Sequence, residues 1–512
     1  MESFNLIFIS PWQNSQVVSQ NFNIIRDELS YCSKIANESI INKFLNQDEI
    51  IRYSDIIRYK NQIPISLGII SIMTYLKSNG IETSYIHMEN EKQKYKSAKG
   101  WLNDSVKDIV ERYKPAMICI GSTTNETNRA IQLCRLIKAQ FPKIIIVVGG
   151  NHATHRPEDF LHDGLADIIV IGEGEKPMLS IYDRAKKKQG FDNIDGTASI
   201  KNGVITKHSP SVGIDLETIS PPDFSLIDDN LVKKGILYTM FSRGCVNQCV
   251  YCSEKSSNNK GVKFYNVKKF IETLTYITDI IKWRFVHLAD SNFLANEKKV
   301  IQFCDELEES GINALFSINV RPDLSKIIKK ETIIRLRKLG FIEFLIGSES
   351  GCDRVLQHNK RNHTVKDLYN TLNLLKECQI PYVSTYWIVG LPSASIESEL
   401  RTLSVMKELF DTDLIYYGSS KPYIPLPGTL PFNNPMQWDI EIKSYDWDLY
   451  DRYSLPLPYV HNNLSHYEIE SLVLLMQSIQ VAAFQRRSKS KKYDIVSLKD
   501  KLIGSYEQGH YL

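Results

Sequence analysis

The sequence has little that would take it out of water. Its longest purely aliphatic run is 144–148, far short of the roughly 20 residues that span a bilayer. The opening MESFNLIFISPWQN places an acidic residue at position two before a short apolar run, which does not make a signal peptide. Charge of one sign is scarce too: 62 Lys and Arg against 59 Asp and Glu leave +3 on 512 residues. A surplus that small predicts no long nucleic-acid track, no nucleic-acid partner and no strongly anionic partner. Nine cysteines, an odd number, are too few for a disulfide framework in a chain this long. No internal repeat or low-complexity tract stands out, and no G-x-G-x-x-G follows the first apolar strand, so a dinucleotide fingerprint is absent. What remains is an ordinary composition, 43% apolar and 24% charged. It implies a cytoplasmic globular chain of two or three domains at roughly 150 residues each, with reduced thiols.

The pattern is α/β. In residues 1–190, short apolar runs (5–9, 82–87, 116–120, 143–149, 168–171) alternate with helical periodicity near 65–79, 100–113, 126–141 and 176–189. That alternation predicts parallel βαβ units and a doubly wound, Rossmann-like sheet. Residues 13–62 interrupt it with periodic apolar residues, an inserted helical segment that is either a lid or packing. Turn chemistry dominates 191–236, read as a linker with a hairpin turning at Asn202-Gly203. From 237 to 430, six strands (237–242, 285–289, 314–319, 341–346, 383–388, 414–417) alternate with five helices (near 267–281, 297–310, 331–339, 364–378 and 395–410), which fits a partial (β/α)6 TIM-like barrel. Residues 431–512 form a small, mostly helical C-terminal region with one good helix at 466–487. The basic run 486–492 reads as a solvated end.

Three of the nine thiols, Cys245, Cys249 and Cys252, fall in eight residues with the spacing CxxxCxxC, after the first barrel strand. Such strand ends are where these barrels build active sites. Three thiolates can hold three irons of a four-iron cluster and leave the fourth iron open. Zinc and inert thiols are the alternatives, but zinc wants a fourth nearby Cys or His. The next such residues are His287 and Cys304. Cys32, Cys119, Cys134, Cys304, Cys352 and Cys378 stand singly and read as small buried hydrophobes. With no cysteine after Cys378, an auxiliary cluster domain at the C-terminus is excluded.

CxxxCxxC with an aromatic before its last cysteine resembles the signature of the radical SAM superfamily. The resemblance implies a 4Fe-4S cluster on Cys245, Cys249 and Cys252, whose open iron chelates S-adenosyl-L-methionine and cleaves it to a 5′-deoxyadenosyl radical. It places Tyr251 against the adenine. Further S-adenosylmethionine contacts are implied where later segments match: Asp290 after the second strand, Arg321 after the third, and Glu349 and Ser350 in Gly347-Ser-Glu-Ser-Gly351. Gly390 in Trp387-Ile-Val-Gly390-Leu-Pro392 is the fifth-strand contact, but Ser393-Ala-Ser395 replaces the usual Gly-Glu-Thr. Each polar residue also has a plain structural reading. Asp290 can cap a helix or close a turn, Arg321 can pair with a carboxylate, and Glu349 can satisfy backbone donors.

Glycines follow three strands of the N-terminal sheet: Gly121-Ser122-Thr123, Gly149-Gly150-Asn-His152, and Gly172-Glu173-Gly174-Glu175. In open α/β sheets the crevice at the strand carboxyl ends is the ligand site, and glycine lets backbone approach a bulky ligand. The run 115–175, with GGxHAT and GEGE, resembles the cobalamin-binding domain that precedes the radical SAM barrel in one large subfamily, and Pro64-Ile-Ser-Leu67-Gly68 matches it as well. The two resemblances cover about residues 1–430. The D-x-H-x-x-G lower-ligand motif is missing, since none of the eleven histidines has Asp two positions before it. That implies a corrinoid without an axial histidine from that motif. His152 either touches the ligand or is a hydrogen-bonded turn histidine.

The expected activity is cobalamin-dependent radical SAM methyl transfer to an unactivated carbon of a small-molecule or peptide substrate, with flavodoxin or ferredoxin as electron donor. Oxidative cyclisation or rearrangement without methyl transfer is the alternative, and a redox or corrinoid sensor is a third. Tyr386, Tyr417 and Tyr423, near late strand ends, line a cavity or belong to the core.

Overall fold

The computed structural model describes residues 4–12, 63–95, 100–228, 231, 235–236, 238–254, 261–281, 285–451 and 456–489. The insertion 13–62 and Cys32 lie outside these. In chain order the strands are β1 (Leu6–Ser10), β2 (Ile63–Pro64), β3 (Thr83–His87), β4 (Met117–Gly121), β5 (Ile145–Gly149), β6 (Ile168–Val170), β7 (Thr197–Lys201), β8 (Val204–Lys207) and β9 (Gly235–Ile236). They continue with β10 (Tyr238–Thr239), β11 (Ser242–Arg243), β12 (Lys263–Phe264), β13 (Phe285–Leu288), β14 (Leu315–Val320), β15 (Phe341–Glu349), β16 (Tyr382–Val389) and β17 (Tyr417–Pro422). The last pair is β18 (Ile440–Ile442) and β19 (Tyr459–His461).

The N-terminal sheet runs β3-β1-β4-β5-β6-β7-β8. Its first five strands are parallel, as continuous apolar runs buried on both faces require. The chain goes from β1 to β3 on one side and then to β4 on the other, so the topological switch point lies between β1 and β4. Gly121 ends β4 at that point. The hairpin expected within the linker is part of this sheet: β7 pairs antiparallel with β6, and β8 with β7. Asn202 and Gly203 turn it with φ of 50° and 78°, the left-handed pair that a two-residue hairpin loop needs.

The second sheet, β10-β13-β14-β15-β16-β17, is parallel throughout and has six strands, the open partial barrel that the alternation predicts. Helix Val267–Thr275 runs on into a π-turn at Tyr276–Ile280, where periodicity alone reads one helix. Helix His466–Lys489 packs on β17 and on helix Ile396–Asp411, and its Arg486 pairs with Asp411 at 2.8 Å.

One apolar cluster runs from the N-terminal sheet through helix Leu67–Ser78 (Ile69, Ile70, Met73, Leu76) into the barrel. A separate cluster fills the sheet's other face. Within the shared core, Phe241 meets Phe264, Phe270, Phe293 and Phe303 with ring centroids 5.2–6.1 Å apart. A fully buried phenylalanine contributes roughly 1.5–3 kcal/mol, so this ring fixes where β11 begins. No helix among the described residues is long and apolar enough to cross a membrane.

Candidate active site

The three cysteines follow β11 directly. Gly244 has φ of 93°, and a Cβ there would stand 2.1 Å from the Gly261 carbonyl oxygen, so only glycine lets the chain leave the β11–β12 hairpin on this path. Cys249 is buried, while Cys245 and Cys252 are half-buried. Two of the sulfurs have nitrogen donors: Asn247 Nδ2 to Cys245 Sγ at 3.2 Å and Arg361 Nη1 to Cys249 Sγ at 3.3 Å. Burial, chiefly, pushes the Cys252 thiol up to about 11, and the neighbouring Cys249 and Cys245 add to the rise. Among the described residues no three His, Cys, Asp or Glu side chains form a group that could hold a single metal ion. A four-iron cluster makes no such demand, because each cysteine ligates a different iron. The donor set therefore suits a cluster better than zinc.

Glu349 ends β15 at a register shift, with φ of 63°, a left-handed conformation that costs a non-glycine residue about 1–3 kcal/mol. Arg361 Nη2 lies 3.6 Å from its carboxylate and also donates to the Gly347 carbonyl. Burial raises the Glu349 carboxyl above its ordinary value, opposed by Arg361 and Tyr251. Beside them the Ser348 hydroxyl and Arg361 Nε are buried without a hydrogen-bond partner. Buried donors left unmade cost about 1–3 kcal/mol each, and a ligand with carboxylate or other acceptor oxygens removes that cost. Tyr251, Glu349 and Arg361, half-buried, thus form one polar constellation with the buried Cys249.

The other expected S-adenosylmethionine contacts are engaged within the protein. Asp290 is fully buried and accepts from Phe241 N–H at 3.0 Å, Ser242 N–H at 2.6 Å and the Ser242 hydroxyl. Burial still raises it to about 6. Its role is to anchor β11, neither a helix cap nor an open ligand group. Arg321 makes a two-pronged bond to Asp323, both arms 2.7 Å. Ser350 bonds the Thr402 hydroxyl at 3.2 Å and receives Cys352 N–H at 3.2 Å. Gly390 has φ of 76° and donates its N–H to Glu399 at 3.0 Å. Ser393 holds φ of 68°, which explains the glycine of the resembling motif, and Ser395 caps helix Ile396–Asp411 as threonine would. The departure from Gly-Glu-Thr therefore preserves the turn. Tyr423 is buried core, and Lys421 Nζ sits 5.8 Å from the Tyr386 ring.

The glycine loops of the N-terminal sheet divide in the same way. At Gly150 (φ 104°) a Cβ would stand 2.6 Å from the Ser122 carbonyl oxygen, and at Gly174 one would stand 2.6 Å from Ile72 Cδ1. Those glycines serve contacts between loops and with the helix. At Gly172 (φ 75°) nothing lies within 4 Å of where a Cβ would stand, so no packing contact calls for this glycine. Gly121 and Gly149 end their strands against Ile69 and Val170. Ser122 is buried on Thr127, and Thr123 closes a capping box with Glu126.

His152 is fully buried, with Nε2 on Asp159 at 2.9 Å and Nδ1 on Thr124 at 3.4 Å. The Trp447 ring packs on it at 4.5 Å, and burial lowers its pKa. Both ring nitrogens have protein partners, as a hydrogen-bonded turn histidine would. Glu173 and Glu175 reach into the barrel. Arg243 Nη1 donates to Glu175 at 2.7 Å, and Lys263 Nζ lies 3.2 Å from Glu173.

Sequence reasoning passed over Arg361, Arg243 and Trp447. Arg361, in the stretch Asn359-Lys-Arg-Asn-His363, carries no local signal beyond its charge, and only the fold brings it to Cys249 across 112 positions of sequence.

Two family models match this chain, the B12 binding domain over residues 55–181 and the Radical SAM superfamily over 239–404. Among curated proteins it is similar to an uncharacterised methyltransferase of Pyrococcus horikoshii, 23% identical over 63% of this chain and 69% of that one. It is also similar to the anaerobic magnesium-protoporphyrin IX monomethyl ester cyclase of Rubrivivax gelatinosus, 25% identical over 68% of this chain. The chain spans 63% of that cyclase's length. Among solved structures, the radical S-adenosylmethionine methyltransferase TsrM of Kitasatospora setae, with cobalamin and a 4Fe-4S cluster bound, aligns at a TM-score of 0.64. The identity is 11%, over 91% of this chain and 85% of that one. The cobalamin-dependent enzyme OxsB aligns at 0.61, with 16% identity over 81% of this chain and 53% of that one. These likenesses concern the fold. The cofactors of the two matched domains are cobalamin, and a 4Fe-4S cluster with S-adenosylmethionine. The chain thus combines a B12 binding domain with a Radical SAM domain, the latter an open six-stranded barrel that carries CxxxCxxC.

Proposed function

We propose that this protein is a methyltransferase that methylates an unactivated carbon of a small-molecule or peptide substrate. One observation carries the reading: the loop bearing the three thiols leaves a hairpin seated against the Gly172–Glu175 loop of the cobalamin domain, through Arg243 and Glu175 at 2.7 Å. Two cofactor-holding loops in such contact suit a reaction in which a radical formed at one is met by a group delivered from the other. When bound, the cluster with S-adenosylmethionine supplies the radical, and cobalamin is the methyl carrier.

The chain's own residues hold and orient. Cys245, Cys249 and Cys252 ligate iron, and Arg361 donates a hydrogen bond to the Cys249 sulfur. Glu349 offers an anion to the ammonium of S-adenosylmethionine, and the unpartnered Ser348 hydroxyl and Arg361 Nε remain for its polar groups. Tyr251 packs against the adenine. Burial of this constellation keeps water from a reactive intermediate. Gly172 would let the corrin approach the sheet, and His152 keeps its ring nitrogens on Asp159 and Thr124. Flavodoxin or ferredoxin supplies the electron.

Anaerobic purification with cobalamin supplied, followed by iron and cobalt counts and an ultraviolet–visible spectrum, tests this reading. Iron without cobalt after such loading overturns it. Product analysis then separates chemistries. Methyl transfer yields S-adenosylhomocysteine with 5′-deoxyadenosine, whereas 5′-deoxyadenosine alone marks cyclisation, the reaction in the name of the Rubrivivax gelatinosus relative. A protein that binds both cofactors yet never cleaves S-adenosylmethionine under reductant is a sensor.

A further inference from the structure

We propose that Glu175 and Arg243 are positioning residues that set the cluster loop at a fixed place against the cobalamin domain, with Glu173 and Lys263 as a second strut. The inference rests on the two-cofactor reading above and assigns a task to the four charges that cross the domain boundary.

The geometry is that of a clamp. Arg243 and Lys263 are directly opposed in the antiparallel β11–β12 pair, so both cations stand at one level of the hairpin. The two glutamates alternate in Gly172-Glu173-Gly174-Glu175, and Gly174 between them is pressed onto Ile72 of helix Leu67–Ser78. Arg243 also donates Nη2 to the Tyr265 hydroxyl at 2.7 Å and lies over that ring at 5.6 Å, which leaves its guanidinium one orientation. Lys263 Nζ further donates to the Ile214 carbonyl at 3.1 Å, while Glu173 accepts Ile214 N–H at 3.1 Å.

Asp290 holds the neighbouring Phe241 and Ser242 amides from the barrel side. The two residues before Gly244-Cys245 are therefore gripped by both domains at once. A buried ion pair is a poor device for stability compared with apolar packing, and the shared apolar core already joins these domains. What a buried, directional pair adds is register. Side-chain exposures of 13% for Arg243 and 3% for Glu175 take most of the pair out of water. Neither residue needs to touch a reacting atom.

The test uses the full chain purified anaerobically with cobalamin and compares Glu175→Gln, Glu173→Gln and Arg243→Lys with the wild type. Hydrogen–deuterium exchange is read first, because it needs neither substrate nor turnover. Glu175→Gln is expected to speed exchange at residues 241–254 and 261–265 roughly tenfold, with β14–β16 unchanged. Arg243→Lys, which keeps the charge, should fall between. Iron and cobalt counts should stay at wild-type values, while the magnetic interaction between reduced cluster and cob(II)alamin in electron paramagnetic resonance spectra changes. Unchanged exchange at 241–254, or exchange that rises evenly over the whole chain, overturns the positioning role. If Glu175→Gln does not fold, the half-buried Glu173→Gln carries the same readout. A wild type that binds no cobalt defeats the two-cofactor reading alone, and the exchange result still decides the clamp.

Discussion

The cysteine loop of the barrel and the glycine loops of the N-terminal sheet both carry recognisable motifs at the carboxyl ends of parallel strands, yet the two regions use polar residues differently. Around Cys249, Glu349 is strained and Ser348 and Arg361 Nε lack partners, so polar capacity is held in reserve. In the sheet loops nearly every polar group is already engaged. His152 is on Asp159, Thr123 on Glu126, Glu173 on Lys263 and Glu175 on Arg243. Unmet polar groups and strain mark chemistry, whereas met ones mark assembly.

The largest expected effect breaks the barrel side of this contrast. Cys249→Ala should abolish cluster assembly, with iron counts near zero; a variant that still cleaves S-adenosylmethionine refutes the ligand assignment. Arg361→Ala removes the cation between Cys249 and Glu349. It should lower S-adenosylmethionine cleavage roughly 10–100-fold and cost about 3–5 kcal/mol in denaturant unfolding, because a buried carboxylate is left uncompensated.

Glu399 tests whether a buried barrel carboxylate without a counter-cation is costly. Burial raises it to about 7, opposed only by the Gly390 amide. The folded protein thus holds this proton more tightly than the unfolded chain does. The stability it contributes is complete below the ordinary carboxyl range and is lost as pH rises through about 7. Glu399→Gln should therefore gain on the wild type between acidic and alkaline pH by on the order of 3 kcal/mol. Unfolding midpoints that keep a constant difference across that range would contradict it.

The smallest effects sharpen the sheet side. Gly150→Ala forces a Cβ into the Ser122 carbonyl at φ 104° and should cost about 2–3 kcal/mol in the protein free of cofactor. Gly172→Ala meets open space and should cost about 1–2 kcal/mol, yet weaken cobalamin binding more in titration. Equal cobalamin affinities for the two variants would remove the distinction between packing glycine and ligand glycine.

Legibility in the sequence followed the range of the interaction. Helices at 297–310 and 364–378 were readable within one residue of their ends because caps and periodicity are local: Asn296 caps one, and Thr364 closes a capping box with Asp367 on the other. The hairpin at Asn202-Gly203 was readable for the same reason, but its membership of the sheet was not, since an edge pairing with β6 depends on where β6 lies. The isolated cysteines Cys119, Cys134, Cys304, Cys352 and Cys378 are buried as expected. Asp290 illustrates the limit. Its placement after the second barrel strand was correct, but its partners Phe241 and Ser242 are 49 and 48 positions away.

By itself the sequence determined the two α/β units, their order and the thiol triplet, because strand period, helix period and CxxxCxxC spacing are properties of neighbours along the chain. Tertiary structure alone decided that Arg361 stands against Cys249, that Trp447 covers His152, and that the GEGE glutamates grip the hairpin before the cysteines. A charged side chain declares its sign in sequence. Whether it meets water, a ligand or an opposite charge depends on burial, and burial is decided only when distant segments pack.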